Sequence, residues 1–218
     1  MNAFDLDAVE VRVLGALSEK DLATPEYYPL SLNALVNACN QKTNREPVVQ
    51  YDETAVQAAL SSLEEQGWAE SVLEPGSRAV RYRHRLVERL ELRPGEQAVL
   101  TVLLLRGPQT AGELRTRTGR LHSFSDLDAV LNTLRRLAGR EPCPLVRQLE
   151  RLPGMKENRW MHTLAGEPAA AAQPASPRPA LEQRVERLEV AIEELRAELD
   201  RLRQELARSP GAGQESSS

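Results

Sequence analysis

The sequence predicts a mainly α-helical fold with small β-hairpin wings, made of one unit used twice and closed by a long C-terminal helix. Three observations carry that prediction. First, the chain resembles itself: "AVQAALSSL" from Ala55 parallels "AVLNTLRRL" from Ala129, and "EPGSRAVRYRHRL" aligns without a gap on "LPGMKENRWMHTL". Tyr82 then corresponds to Trp160, His84 to His162, and Pro29 to Pro108. Second, apolar residues recur at helical spacing three times in each copy. Third, an unbroken leucine-rich seam runs from Leu181 to Leu206.

In the first copy, Leu6, Val9, Val13, Leu14 and Leu17 predict a helix from Leu6 to Lys20, with Asp5 as its N-cap. Leu32, Leu35, Val36 and Cys39 predict a second helix capped by Ser31. Val56, Ala59, Leu60 and Leu63 predict a third, started by Asp52 and stopped by Gly67. Strands at Trp68–Leu73 and Ala79–Leu86 flank Pro75-Gly76, a pair suited to the middle of a turn. The second copy predicts helices at Pro94–Arg106, Thr110–Thr118 and Ser125–Ala138, then a hairpin turned at Pro153-Gly154.

Three helices followed by a two-stranded ribbon is the winged helix arrangement. The expected organisation is a first winged helix module at 1–90, a second at 91–165, an Ala/Pro-rich linker at 166–180, a coiled-coil helix at 181–207 and a disordered tail at 208–218. The stretch "RVLGALSEKDLATPEYYPLSLNALVNACNQKTNREPVVQYDE" resembles the signature of the YceH-like family, bacterial proteins with two winged helix domains. The resemblance is dense from Arg12 to about Gly67 and looser in the second module and the wings. It implies the fold, fits a C-terminal coiled coil, and brings no catalytic or ligand residues with it.

Composition, at 41% hydrophobic residues, is that of an ordinary globular protein. The longest apolar run, Ala98 to Leu105, is far too short to cross a bilayer, so no membrane role is expected. The N-terminus lacks the basic-then-apolar order of a signal peptide, and two cysteines without a CxxC fit a reducing cytoplasm. The net charge of −4 is unevenly spread. Residues 1–90 hold 9 basic and 14 acidic side chains, whereas residues 91–166 hold 12 and 8. Any electrostatic grip on nucleic acid would therefore be local.

No nucleophile, phosphate-loop or metal motif is present, so no enzyme, cofactor or metal is expected. The candidate contact residues are polar. Asn33, Asn37, Asn40 and Asn44 line one helix face, with Lys42 and Arg45 at its edge. They form either a recognition surface or an elaborate helix cap. Arg81, Arg83 and Arg85 share one face of a wing strand and either track phosphates or pair with nearby carboxylates. In the second module Arg115, Arg117, Arg135 and Arg136, with Arg120 nearby, surround the third helix, the usual reader of the major groove. Two functions remain open: a cytoplasmic regulatory protein that binds duplex DNA, and a protein-interaction scaffold without nucleic acid.

The seam alternates steps of four and three through Leu181, Val185, Leu188, Ile192, Leu195, Leu199, Leu202 and Leu206. Branched residues at a with leucine at d favour a parallel dimer; the alternative is a helix folded back on its own modules. Dimerisation through the seam predicts that a chain lacking residues 167–218 is a folded monomer. Light scattering that gave the shortened chain the oligomeric state of the full one would refute it.

Overall fold

In the computed structural model, the first helix, α1 (Ala8–Ala23), is buried almost all round, from Glu10 to Glu19. Its cap is Asp7, not Asp5. The Asp7 carboxylate accepts from the amides of Val9 and Glu10 at 2.7 and 2.8 Å, and the Glu10 carboxylate accepts from the Asp7 amide at 2.7 Å. This reciprocal box satisfies more of the open helix end than Asp5 could. Leu6 lies outside the helix, buried, and its amide donates to the Leu164 carbonyl at 3.0 Å, tying together two distant parts of the chain. The structure describes residues 4–73, 79–151, 154–155 and 157–165. The linker, the leucine seam and the tail lie outside them, as do Pro75, Gly76 and Pro153 of the expected hairpin turns.

Helix α2 (Leu32–Cys39) starts at Ser31 and helix α3 (Glu53–Glu65) at Asp52, each cap side chain accepting an amide of the first turn. The chain leaves α3 through Gly67, whose φ of +74° suits only glycine without strain. Strands β1 (Ala69–Leu73) and β2 (Val80–His84) pair antiparallel, from Ala69 opposite His84 to Leu73 opposite Val80. The second strand is shorter than its sequence suggests. His84 Nδ1 accepts the Leu86 amide at 3.2 Å, and Leu86 opens a short helix, α4 (Leu86–Leu90).

The order then recurs: α5 (Pro94–Arg106), α6 (Ala111–Arg117), α7 (Leu127–Ala138), and the antiparallel strands β3 (Val146–Gln148) and β4 (Trp160–His162). Single bridges add a third short pairing to each hairpin, Leu30 with Tyr82 and Gln109 with Trp160. Leu30 and Gln109 each follow one of the two aligned prolines, Pro29 and Pro108, and Tyr82 and Trp160 are both buried. The fold is mainly helical with two small antiparallel hairpins, consistent with the winged helix class.

Helix α5 packs directly along α1. Gly15 makes that approach possible, because a Cβ there would sit 2.9–3.0 Å from Leu104 and Leu105. Ser18 and Thr101 hydroxyls meet at 2.7 Å across the same contact. Leucines and valines of both halves join one continuous core. Arg45, expected at an exposed edge, is buried instead. Its guanidinium donates to both Glu19 carboxylate oxygens, at 3.0 and 2.6 Å, and to the carbonyls of Ala38 and Asn44. Arg12 donates to the carbonyls of Cys39 and Pro47. Two cations thus close the C-terminal end of α2, where the helix dipole favours positive charge.

Burial pushes the Glu19 carboxyl up, but the hydrogen bonds and charge of Arg45, helped by Lys20, outweigh it and hold the group below its ordinary value. A carboxylate with a depressed folded pKa adds stability above its unfolded pKa and loses it as pH falls through the folded one. At pH 7, Arg45→Ala should therefore cost about 3–5 kcal/mol, by stranding a buried carboxylate. The stability gap between wild type and Glu19→Gln should shrink below the ordinary glutamate pKa of 4.5. Urea denaturation midpoints measured from pH 7 to pH 3 test both; a gap independent of pH would contradict the pairing.

Candidate functional site

The asparagine stripe divides into two pairs. Asn33 and Asn37 are exposed on α2, and the Asn37 amide donates to Asn33 Oδ1 at 2.9 Å. Asn40 works internally: its side chain donates to the Tyr51 carbonyl at 2.7 Å and accepts the Tyr51 amide at 2.8 Å. This two-way clamp holds the residue just before the α3 cap. Asn44 takes a left-handed φ of 60°, a conformation asparagine tolerates, and its side-chain oxygen accepts from Arg106. The outward pair remains available for contact, and Lys42 is exposed nearby.

The first wing keeps its alternation, with Tyr82 and His84 buried and the arginines on the other face. Those arginines are engaged within the chain. Arg81 donates to the Pro29 carbonyl at 2.9 Å. Arg83 pairs with Glu70, its cross-strand neighbour, and with Glu88 at 3.4 Å. Arg85 lies 3.6 Å from Glu70. The hydrogen bond and charge of Glu70 raise the Arg83 pKa. On this face Arg83 and Arg85 are thus paired with carboxylates, and Arg81 bonds a backbone carbonyl.

In the second half the arginines fall into two sets. Arg136 is held by Glu96 at 3.0 Å, and Arg117 by Glu113 at 3.3 Å. Arg115 and Arg135 are exposed with neutral partners, the Ser125 carbonyl at 3.3 Å and the Asn132 side-chain oxygen at 3.0 Å. Ser125 directly precedes Asp126, the α7 N-cap, so Arg115 marks one end of α7 and Arg135 lies near the other. Helix α3, by contrast, opens with Asp52 and Glu53 and carries no basic residue.

A cleft of about 1120 Å³ opens between the C-terminal end of α1, residues 41–44, α5 and α6. Lys20, Lys42, Arg106, Arg117 and Arg120 line it, and Glu19 is its lining carboxylate. Arg117 and Arg120 belong to the basic stretch at 115–120, but Lys20, Lys42 and Arg106 come from three other places in the chain, so the sequence does not announce the convergence.

The remaining polar chemistry is structural. His84 Nδ1 accepts a backbone amide, which places its proton on Nε2, facing the Asp21 carboxylate at 3.2 Å. His162 is buried and burial pulls its pKa down to about 4, so it is neutral at pH 7. Burial pushes the Cys39 thiol up to about 12, leaving too little thiolate for a nucleophile. Among the described residues no cluster of three or more His, Cys, Asp or Glu side chains could hold a metal, and no helix is long and apolar enough to cross a membrane.

Residues 6–155 match the family described as "Protein of unknown function, DUF480". A UPF0502 protein of Geotalea daltonii is 54% identical over 180 residues, covering 83% of this chain and 82% of its own. A UPF0502 protein of Geobacter sulfurreducens is 56% identical over 168 residues, covering 77% and 76%. One from Opitutus terrae is 50% identical over 184 residues, covering 84% and 80%. The resemblance read from the α1–α3 segment and the repeated helix–hairpin order thus meet in one assignment: the chain belongs to the DUF480 (UPF0502) family of bacterial proteins.

Proposed function

We propose that this chain is a cytoplasmic DNA-binding regulatory protein, built of two tandem winged helix modules and dimerised through the seam at Leu181–Leu206. Its contact with the duplex runs along α7 of the second half. The observation that supports this is the pair of exposed arginines, Arg115 and Arg135, bounding the third helix of that half; each hydrogen-bonds a neutral oxygen and neither is within salt-bridge distance of a carboxylate among the described residues, although the Asp126 charge reaches Arg115. An arginine unpaired with a carboxylate meets a phosphate without first breaking an ion pair. Asp128, Asn132 and Arg135 lie at i, i+4 and i+7, on one exposed face of α7. Asn132 can read an adenine edge there.

A second reading is favoured at the first wing. There the arginines are tied to carboxylates, while Leu73 and Val80 face each other across the hairpin, 64% and 45% exposed. That surface suits a protein partner better than a polyanion. The two readings are compatible, with DNA held by the second half and a protein by the first.

Binding to one duplex across a salt series separates them. Removing one phosphate-binding cation lowers the slope of log affinity against log salt by about 0.9. Arg115→Ala with Arg135→Ala should lower it by about 1.8, and Arg83→Ala with Arg85→Ala should leave it unchanged. The opposite pattern would move the DNA contact to the first wing. Absence of duplex binding even at low salt would leave the scaffold reading alone.

A further inference from the structure

We propose that the cleft between α1 and α6 binds a small polyphosphate-bearing molecule, such as a nucleoside di- or triphosphate. Five cationic side chains converge there from both halves of the fold, and the lining carboxylate of Glu19 is already engaged by Arg45. Lys42 and Arg120 are exposed and have no ion pair among the described residues. Arg106 donates to the neutral Asn44 side chain. Arg117 shares Glu113, and Lys20 reaches Glu19 at 3.5 Å. Burial and then the charge of Arg117 push the Arg106 guanidinium below its usual pKa, a crowding of like charge that Glu46 and Glu19 offset only in part. A bound polyanion relieves that crowding.

The walls favour a small molecule with a body as well as a charge. Leu121, half-buried, supplies apolar surface over the buried side chains of Val102 and Leu105, and Thr101 is pinned by Ser18. The volume, about 1120 Å³, lies just above the usual range of small-molecule pockets. Three arginine forks and two lysines lining one cleft suit the several oxygens of adjacent phosphates better than a single carboxylate. A ligand touching Lys42 and Arg120 would bridge the first and second halves and stabilise their packing.

The site is separate from Arg115 and Arg135, so it stands or falls independently of DNA binding. Arg115 and Arg117 are two positions apart on α6 and therefore point to different sides.

The test is calorimetric titration of the full-length protein with inorganic pyrophosphate and with ATP, alongside Lys42→Ala combined with Arg120→Ala. Both residues are exposed and outside the core, so the unliganded melting temperature of the double variant should equal that of wild type. Wild type should bind both probes and melt at higher temperature with them. The double variant should bind at least about tenfold more weakly, and Arg115→Ala with Arg135→Ala should bind as wild type does. No heat from either probe, or equal binding by the double variant, would overturn the proposal. So would a short duplex that displaces pyrophosphate and needs the same two residues, since the cleft would then belong to a nucleic-acid surface. Pyrophosphate binding without duplex binding would uphold the cleft and remove the DNA reading alone.

Discussion

The arrangement of residues 4–165 depends on the burial of α1 on nearly every side. A helix so placed cannot turn a polar face to water, yet this one carries Glu10, Arg12, Ser18 and Glu19 among its buried positions. Each must find a partner in the protein, because an unpaired buried polar group costs about 1–3 kcal/mol and a charge more. The partners come from every direction. Asp7 and Gln66 meet Glu10, the end of α2 and Pro47 meet Arg12, Thr101 of α5 meets Ser18, and Arg45 meets Glu19. Satisfying one helix therefore fixes α2, the segment at 41–50 and α5 around it. Most of these groups lie in the segment most like the family signature, so its buried polar residues are explained by architecture before any ligand is invoked.

The same requirement explains what sequence reading can and cannot see. Helix α5 is legible to the residue: Pro94 suits the first turn and Gly107 follows the last, both local signals. The two wings are legible through the repeat, because Tyr82 and Trp160 carry the same inward role and bridge to equivalent positions. Asp5 competes with Asp7 for the cap, and only the returning Glu10 carboxylate decides between them. Arg45 looks like the edge of an exposed loop because its partner lies 26 residues away and is reached only when the chain folds. The asparagines mislead for a related reason. Their even spacing suggests one role, yet Asn40 and Asn44 sit past the last helical turn and bond backwards and across, while Asn33 and Asn37 stay outside.

Charge is distributed by the same logic. The first half is acidic, but many of its carboxylates have structural work: Asp7 and Asp52 cap helices, Glu70 holds two wing arginines, and Glu19 holds Arg45. Of its basic residues, Lys20, Arg45, Arg83 and Arg85 pair with such carboxylates, and Arg12, Arg81 and Arg89 donate to backbone carbonyls. The second half has more cations than carboxylates, so after Glu96 and Glu113 take Arg136 and Arg117, positive charge is left over at Arg115, Arg120 and Arg135. A net charge of −4 therefore says little about what the surface offers an anion. Exposed ion pairs of this kind add little stability, commonly under about 1 kcal/mol. Their main consequence is to remove a cation from competition for a phosphate.

The close contact of α1 with α5 gives that surplus its location. Gly15 lets the two helices approach until Leu104 and Leu105 fill the space a side chain at position 15 would need, and the end of α1 and the 41–44 segment line one cleft with α6. Lys42 and Arg120, 78 positions apart in the chain, then face one space. A bulkier residue at position 15 would separate the helices and widen that space, so the spacing of the cations is set by a contact that touches none of them. The polar lock of Ser18 on Thr101 holds the same helices in register along their length, and Thr101 itself lines the cleft. Core packing and surface electrostatics here are two aspects of one helix pair, and a ligand bridging the cleft would report on both.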